Sequence, residues 1–130
     1  MTLVQRIADL VARIGGVVAT KIDATHPGVA RAWVCFGYAN NQITVRAQHN
    51  LASVTRTATG RYRVTFATPM PDANYCWTAL ARSSVDTGQQ RIAVVRASGD
   101  TKTAQRVDVS CATAATSFAD SSEINLVVYR

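Results

Sequence analysis

Apolar residues at the start of the chain recur at alternating steps of four and three. Leu3, Ile7, Leu10, Ile14 and Val17 keep the a/d spacing of a coiled coil. Val4, Val11 and Val18 repeat every seven residues on the flank of the same stripe, which makes it wider than a single partner helix would cover. Arg6, Asp9 and Arg13 take other faces, with Asp9 four residues before Arg13 in the favourable orientation. The pattern predicts an amphipathic helix. Gly15-Gly16 predicts its end, because glycine in a helix interior costs about 1 kcal/mol relative to alanine. A lone helix shorter than roughly 12–15 residues is marginal in water, so this one needs support. Two arrangements supply it, a helix packed on its own domain or an oligomerisation stalk, and the pattern leaves both open. Ile at a with Leu at d leans to two strands and the flanking valines to three or more.

Beyond a connector, DATHPG, in which His26-Pro27-Gly28 marks a turn, the period changes to two. ARAWVCFGY reads as a strand, Asn40-Asn41 as a turn, and ITVRAQ as a strand with Ile43, Val45 and Ala47 on its buried face. SVTRTATGRYRVTF reads as a hairpin around Ala58-Thr59-Gly60, with Tyr62, Val64 and Phe66 inward and Arg61, Arg63 and Thr65 outward. PMPDAN interrupts the pairing. NYCWTALAR, RIAVVRAS, QRVDVSCA and EINLVVYR are further strands, separated by VDTGQQ and GDTKTA. Short strands at intervals of about ten residues predict a mainly β fold, an antiparallel β-sandwich with a short N-terminal amphipathic helix. Residues 1–25 form the helix and connector, serving oligomerisation or attachment, and residues 26–130 the sandwich head.

Composition agrees with this division. The chain has 130 residues, enough for one domain and too few for a multidomain enzyme. Its 16 Val and 15 Thr against five Leu favour pleated surfaces. Arg6, Asp9 and Arg13 interrupt the first segment, so no export signal is read and synthesis in a reducing cytoplasm is expected. No membrane insertion is expected, since polar residues break every apolar run. Cys35, Cys76 and Cys111 show no metal-ligand spacing and an odd count, which predicts three reduced cysteines in the core and no metal.

The chemistry on offer is thin. His26 and His49 sit in turn-like surroundings, and no nucleophile elbow, phosphate loop or metalloprotease pattern occurs. Asp72, Asp86, Asp100 and Asp120 have turn-type neighbours and are expected to make Asx hydrogen bonds. No catalytic residue and no cofactor follows from this inventory. The net charge of +6 comes from 12 Arg and two Lys. These residues are dispersed rather than clustered with exposed aromatics, so no nucleic-acid groove is expected. Arg56, Arg61 and Arg63 form the one close basic set, read as the solvent face of a half-buried sheet. Trp33 and Trp77 lie mid-strand, where the area an indole buries favours a core or inter-subunit position.

Four pieces between His26 and Arg130 occur in a familiar order. An Ala32-Trp33-Val34-x-Phe36 strand is followed by a Val-Thr strand and a hairpin carrying Gly60, Tyr62, Val64 and Phe66. Then come FATPMPDANY, from Phe66 to Tyr75, and a closing strand, DSSEINLVVY, from Asp120 to Tyr129. This pattern resembles a β-rich domain of bacteriophage and prophage tail-fibre and related tail proteins, and FATPMPDANY is its most specific piece. The resemblance implies a homotrimeric virion protein, a tail-fibre or tail-tip subunit that binds a bacterial surface glycan or protein receptor without enzymatic action. The alternative is a structural virion component, such as a capsid decoration or tail connector, whose partners are other virion proteins. On the helix, Leu3, Ile7, Leu10, Ile14 and Val17 become the oligomerisation residues. By analogy with loop diversity in such domains, Asn40, Asn41, Gln42, Asp86, Gln89, Gln90 and Arg91 become candidate ligand contacts.

Overall fold

The computed structural model describes residues 1–21, 26–82 and 90–130. The first element, α1 (Leu3–Lys21), opens on a capping box. The Gln5 amide N–H donates to Thr2 Oγ1 at 3.2 Å and the Thr2 N–H donates to Gln5 Oε1 at 2.8 Å, so two donors at the helix start are satisfied reciprocally. The helix continues through Gly15 and Gly16, which corrects the expected stop. Once a helix is nucleated each further residue adds a hydrogen bond. Beyond the glycines, Thr20 Oγ1 also closes on the carbonyls of Gly16 and Val17, at 3.1 and 3.0 Å.

The strands are β1 (Ala30–Ala39), β2 (Gln42–His49), β3 (Leu51–Ala58), β4 (Arg61–Phe66), β5 (Cys76–Arg82), β6 (Arg91–Val94), β7 (Arg106–Thr113) and β8 (Glu123–Tyr129). They form two four-stranded sheets in the orders β2-β1-β8-β5 and β3-β4-β7-β6, with every pairing antiparallel. The β-sandwich and the N-terminal helix read from the sequence are therefore present. RIAVVRAS contributes a shorter strand than expected, ending at Val94. Asn40 and Asn41 both adopt positive φ, 53° and 60°, as a two-residue hairpin turn matching strand twist requires.

Alternation places Ala32, Val34 and Phe36 of β1 and Ile124, Leu126 and Val128 of β8 against Tyr62, Val64 and Phe66 of β4 and Val107, Val109 and Cys111 of β7. Phe36 meets Tyr62 edge-on with ring centroids 5.3 Å apart, and Phe66 meets Tyr75 at 5.7 Å. FATPMPDANY carries the chain from one sheet to the other. The Met70 N–H donates to the Ala104 carbonyl, Asp72 Oδ1 accepts from the Asn74 N–H in an Asx turn, and the buried Tyr75 hydroxyl lies 3.0 and 2.9 Å from the Thr103 and Arg106 carbonyls. Burial pushes the Tyr75 phenol up to about 12.

Several expectations about side chains need correction. Cys111 is buried, but Cys35 is only half-buried and Cys76 is exposed, because the last two point away from the core on alternating strands. Val45 and Ala47 are exposed as well. Their strand, β2, is a sheet edge whose register slips between Cys35 and Phe36, so one apolar face is not held continuously over the core. Trp77 packs partly against the core, whereas Trp33 is exposed on the outer face of its sheet.

Candidate functional site

Two surfaces carry the residues picked from the sequence. The first is α1. Every residue from Met1 to Thr20 is exposed, so the helix does not bury its stripe against the sandwich. Leu3, Ile7, Leu10, Ile14 and Val17 line one face, with Val4, Val11 and Val18 beside them. In water such a row is unfavourable, since each aliphatic side chain left exposed forgoes about 1.5–3 kcal/mol of burial. Of the two supports open to the helix, packing on its own domain is not the one observed.

The second surface is the end of the sandwich opposite the point where the chain enters β1. The segment Asp120–Glu123 organises it. The Tyr38 N–H donates to the Ser121 carbonyl at 2.9 Å, Arg46 Nη2 to the Ser122 carbonyl at 2.7 Å, and Arg91 Nε to the Asp120 carbonyl at 3.1 Å. Gly37 is required beneath it, because a Cβ there would lie 2.0 Å from the Ser122 carbonyl oxygen. The Asn40-Asn41-Gln42 turn, the Thr59-Gly60 turn and the Gln90-Arg91 start of β6 thus converge on one short segment. Sequence spacing placed these residues far apart; the topology brings Asn40, Asn41, Gln42, Gln90 and Arg91 to one end. Asp86 and Gln89 lie outside the described residues.

Asp120 is the hub of this end. Its carboxylate accepts from Arg56 Nε and Nη2 at 2.9 and 2.8 Å, from the Tyr62 hydroxyl at 2.6 Å and from the Gly60 N–H at 2.9 Å. Burial alone would raise its pKa, but Arg56, Tyr62 and the Gly60 amide together hold it down to about 2. The Tyr62 phenol is raised by burial and by its bond to Asp120. The Arg56 guanidinium lies 4.4 Å over the Tyr38 ring. Asp120 therefore does more than the Asx bonding expected of it, and nothing in its spacing announced the role. Asp100 likewise serves beyond its own turn, accepting from Arg96 and the Ser110 hydroxyl.

The arginines expected on an open solvent face are occupied. Arg63 pairs with Asp108 at 2.8 Å, Arg56 with Asp120, and Arg61 stacks 4.4 Å over Phe118. At the loop end, Arg56 and Arg82 pair with the Asp120 and Glu123 carboxylates while Arg46 and Arg91 bond the Ser122 and Asp120 carbonyls, leaving a positive balance among the described residues. That balance suits an anionic polymer more than a cation.

A recess of about 460 Å³ opens at the opposite end, lined by Arg31, His49, Asn50 and Thr68 among others. Its amide is already engaged, because Asn50 donates to the Arg31 and Thr68 carbonyls and accepts from the Thr68 N–H. Among the described residues, no three His, Cys, Asp or Glu side chains gather as a metal site, and no helix is long and apolar enough to cross a membrane. Compared with known proteins, the chain matches no family model, no curated protein and no solved structure.

Proposed function

We propose that this chain is a bacteriophage virion protein, a homotrimeric tail-fibre or tail-tip subunit that binds a bacterial surface glycan or protein receptor without enzymatic action. The observation that carries the reading is the apolar stripe of α1, exposed along its whole length in the single chain. Ile7 and Ile14 fall at a, Leu3, Leu10 and Val17 at d, and Val4, Val11 and Val18 at e. Three strands cover an e-position flank better than two. Arg6 and Arg13 at g would lay their methylene stems across the neighbouring valines in a parallel bundle. The resemblance of residues 26–130 to tail-protein domains supports the same reading and adds the host-surface role.

On this reading the stem joins three sandwiches and each presents a rigid loop end held by Asp120–Glu123. Weak contacts to one surface polymer are multiplied by about 10²- to 10⁴-fold when three sites engage together. The positive balance at the loop end favours acidic glycans or anionic wall polymers. Light scattering of the purified chain tests assembly, and fluorescently labelled protein added to a panel of bacteria tests attachment. A trimer that stains some strains and is displaced by their purified polysaccharide is expected. A stable monomer at micromolar concentration overturns the stem. A trimer that stains no strain, yet adds back to particles lacking it, identifies a structural virion component instead.

A further inference from the structure

The two outer faces of the sandwich are finished differently. Over the sheet of β3, β4, β6 and β7 the chain builds its own roof. Arg63 pairs with Asp108, Thr101 donates to Asp108, Arg96 holds Asp100 against Ser110, and Arg61 stacks on Phe118, so β7 is buried along nearly its whole length on both sides. Among the described residues, the sheet of β1, β2, β5 and β8 has no such cover beyond the Ser122 segment over Gly37. Register places His49, Trp33, Val127 and Thr78 in one outward row and Ala47, Cys35, Asn125 and Leu80 in the next. Leu80 is 73% exposed and Trp33 37%.

These two rows contain no Asp, Glu, Lys or Arg, in a chain whose net charge is +6. Charged side chains of this sheet flank the two rows: Arg31 of β1 stands at one end, and at the other Arg46 of β2 donates to the Ser122 carbonyl beside Gly37 and Arg82 meets Glu123, while Arg130 meets Asp72. Any surface on which copies of a strongly basic chain meet each other must avoid like charge directly opposed. The uncharged rows satisfy that condition.

Area points the same way. Four strands about 4.8 Å apart and the two rows about 7 Å apart make a footprint of about 270 Å². The stripe of a helix of 19 residues, rising about 1.5 Å per residue and about 10 Å wide, adds about 300 Å². Stable interfaces take about 800 Å² per partner. Neither surface reaches that by itself, and together they come to about 570 Å², the larger part of it.

We infer that the outer face of the β2-β1-β8-β5 sheet, centred on Trp33, Cys35, Val127 and Leu80, is a second self-association surface, covered by another copy of this chain in the assembly. The inference rests on the proposed self-assembly through α1, and adds that the heads pack together instead of splaying from the stem. The thiols give the test. Cys35 lies in the centre of the face, Cys76 at its edge, and Cys111 in the core as an internal control. Native protein is pulsed with iodoacetamide and each cysteine is quantified by mass spectrometry, in the wild type and in Ile7→Asp/Ile14→Asp. The expected result is at least tenfold slower labelling of Cys35 and Cys76 in the wild type than in the stem variant, with Cys111 unlabelled in both. Leu80→Arg should restore Cys35 labelling without lowering the melting temperature of the sandwich, since Leu80 stands clear of the core. A trimer by light scattering whose Cys35 and Cys76 react at the variant's rate overturns the inference and leaves the stem intact. Protection that appears only when bacterial polysaccharide is added overturns it too, and makes the face a glycan platform. A monomer with open thiols overturns both readings.

Discussion

Replacing Ile7 and Ile14 with aspartate separates assembly from folding. In the single chain these side chains are 52% and 54% exposed, so the aspartates stay in water and cost the subunit only a few tenths of a kcal/mol in helix propensity. In a stem the same positions are buried a sites. Full burial of an isoleucine is worth about 1.5–3 kcal/mol, and with about half of each side chain still to be covered, each contributes about 1 kcal/mol. Two sites in each of three chains amount to about 6 kcal/mol, or about 10⁴-fold in the association constant. Desolvating six carboxylates adds to that loss. Sedimentation velocity at micromolar concentration should therefore show wild-type assemblies and variant monomers. Near-ultraviolet circular dichroism, reporting Trp77 and the core tyrosines, should be unchanged. A variant that sediments like the wild type refutes the stem, and loss of the aromatic signal together with the assembly refutes the independence of the head.

Asp120 should make the sandwich acid-sensitive. Its folded pKa of about 2 lies below the ordinary carboxylate value, so its contribution is complete above about pH 4 and is lost as pH falls towards 2. Thermal melts of wild type and Asp120→Asn should differ by about 1.5–3 kcal/mol at neutral pH and converge in acid; parallel curves at every pH would refute this. Asp100 and Asp108, also held low, should leave the variant some residual slope. Gly60→Ala should lower the urea midpoint by more than about 1 kcal/mol of stability, because φ is 63° and a Cβ would lie 2.5 Å from the Cys111 carbonyl oxygen. Gly15→Ala with Gly16→Ala should raise helical ellipticity and strengthen α1 by about 1 kcal/mol per site. A Cβ at either glycine meets nothing within 4 Å, so unchanged ellipticity would contradict a helix continuous to Lys21.

Period alone was enough to read α1, most of the strands and the inward set from Tyr62 to Phe66, because alternation and the heptad are local consequences of which face is dry. The capping box at Thr2 and Gln5, a Thr followed three residues later by Gln, is an equally local signal that only the hydrogen bonds brought out. Local signals failed where a neighbour from elsewhere in the chain decides. The glycines at 15 and 16 looked like a stop, yet the apolar stripe continues past them. Cys35 and Cys76 looked like core residues inside β-prone runs, but strand order turns both outward. Asp120 looked like one more turn aspartate until the Thr59-Gly60 hairpin and Arg56 were folded against it.

The sequence by itself therefore determined the element types, the mainly β composition and the existence of a helix with more apolar surface than one chain covers. Tertiary structure decided which strands share a sheet, which side of each sheet receives a roof, and that loops fifty residues apart converge on Asp120–Glu123. The physical reason is range. Periodicity reports the environment of each residue relative to its own neighbours, whereas pairing order is set by closing distant segments around one core, and no local spacing encodes that choice.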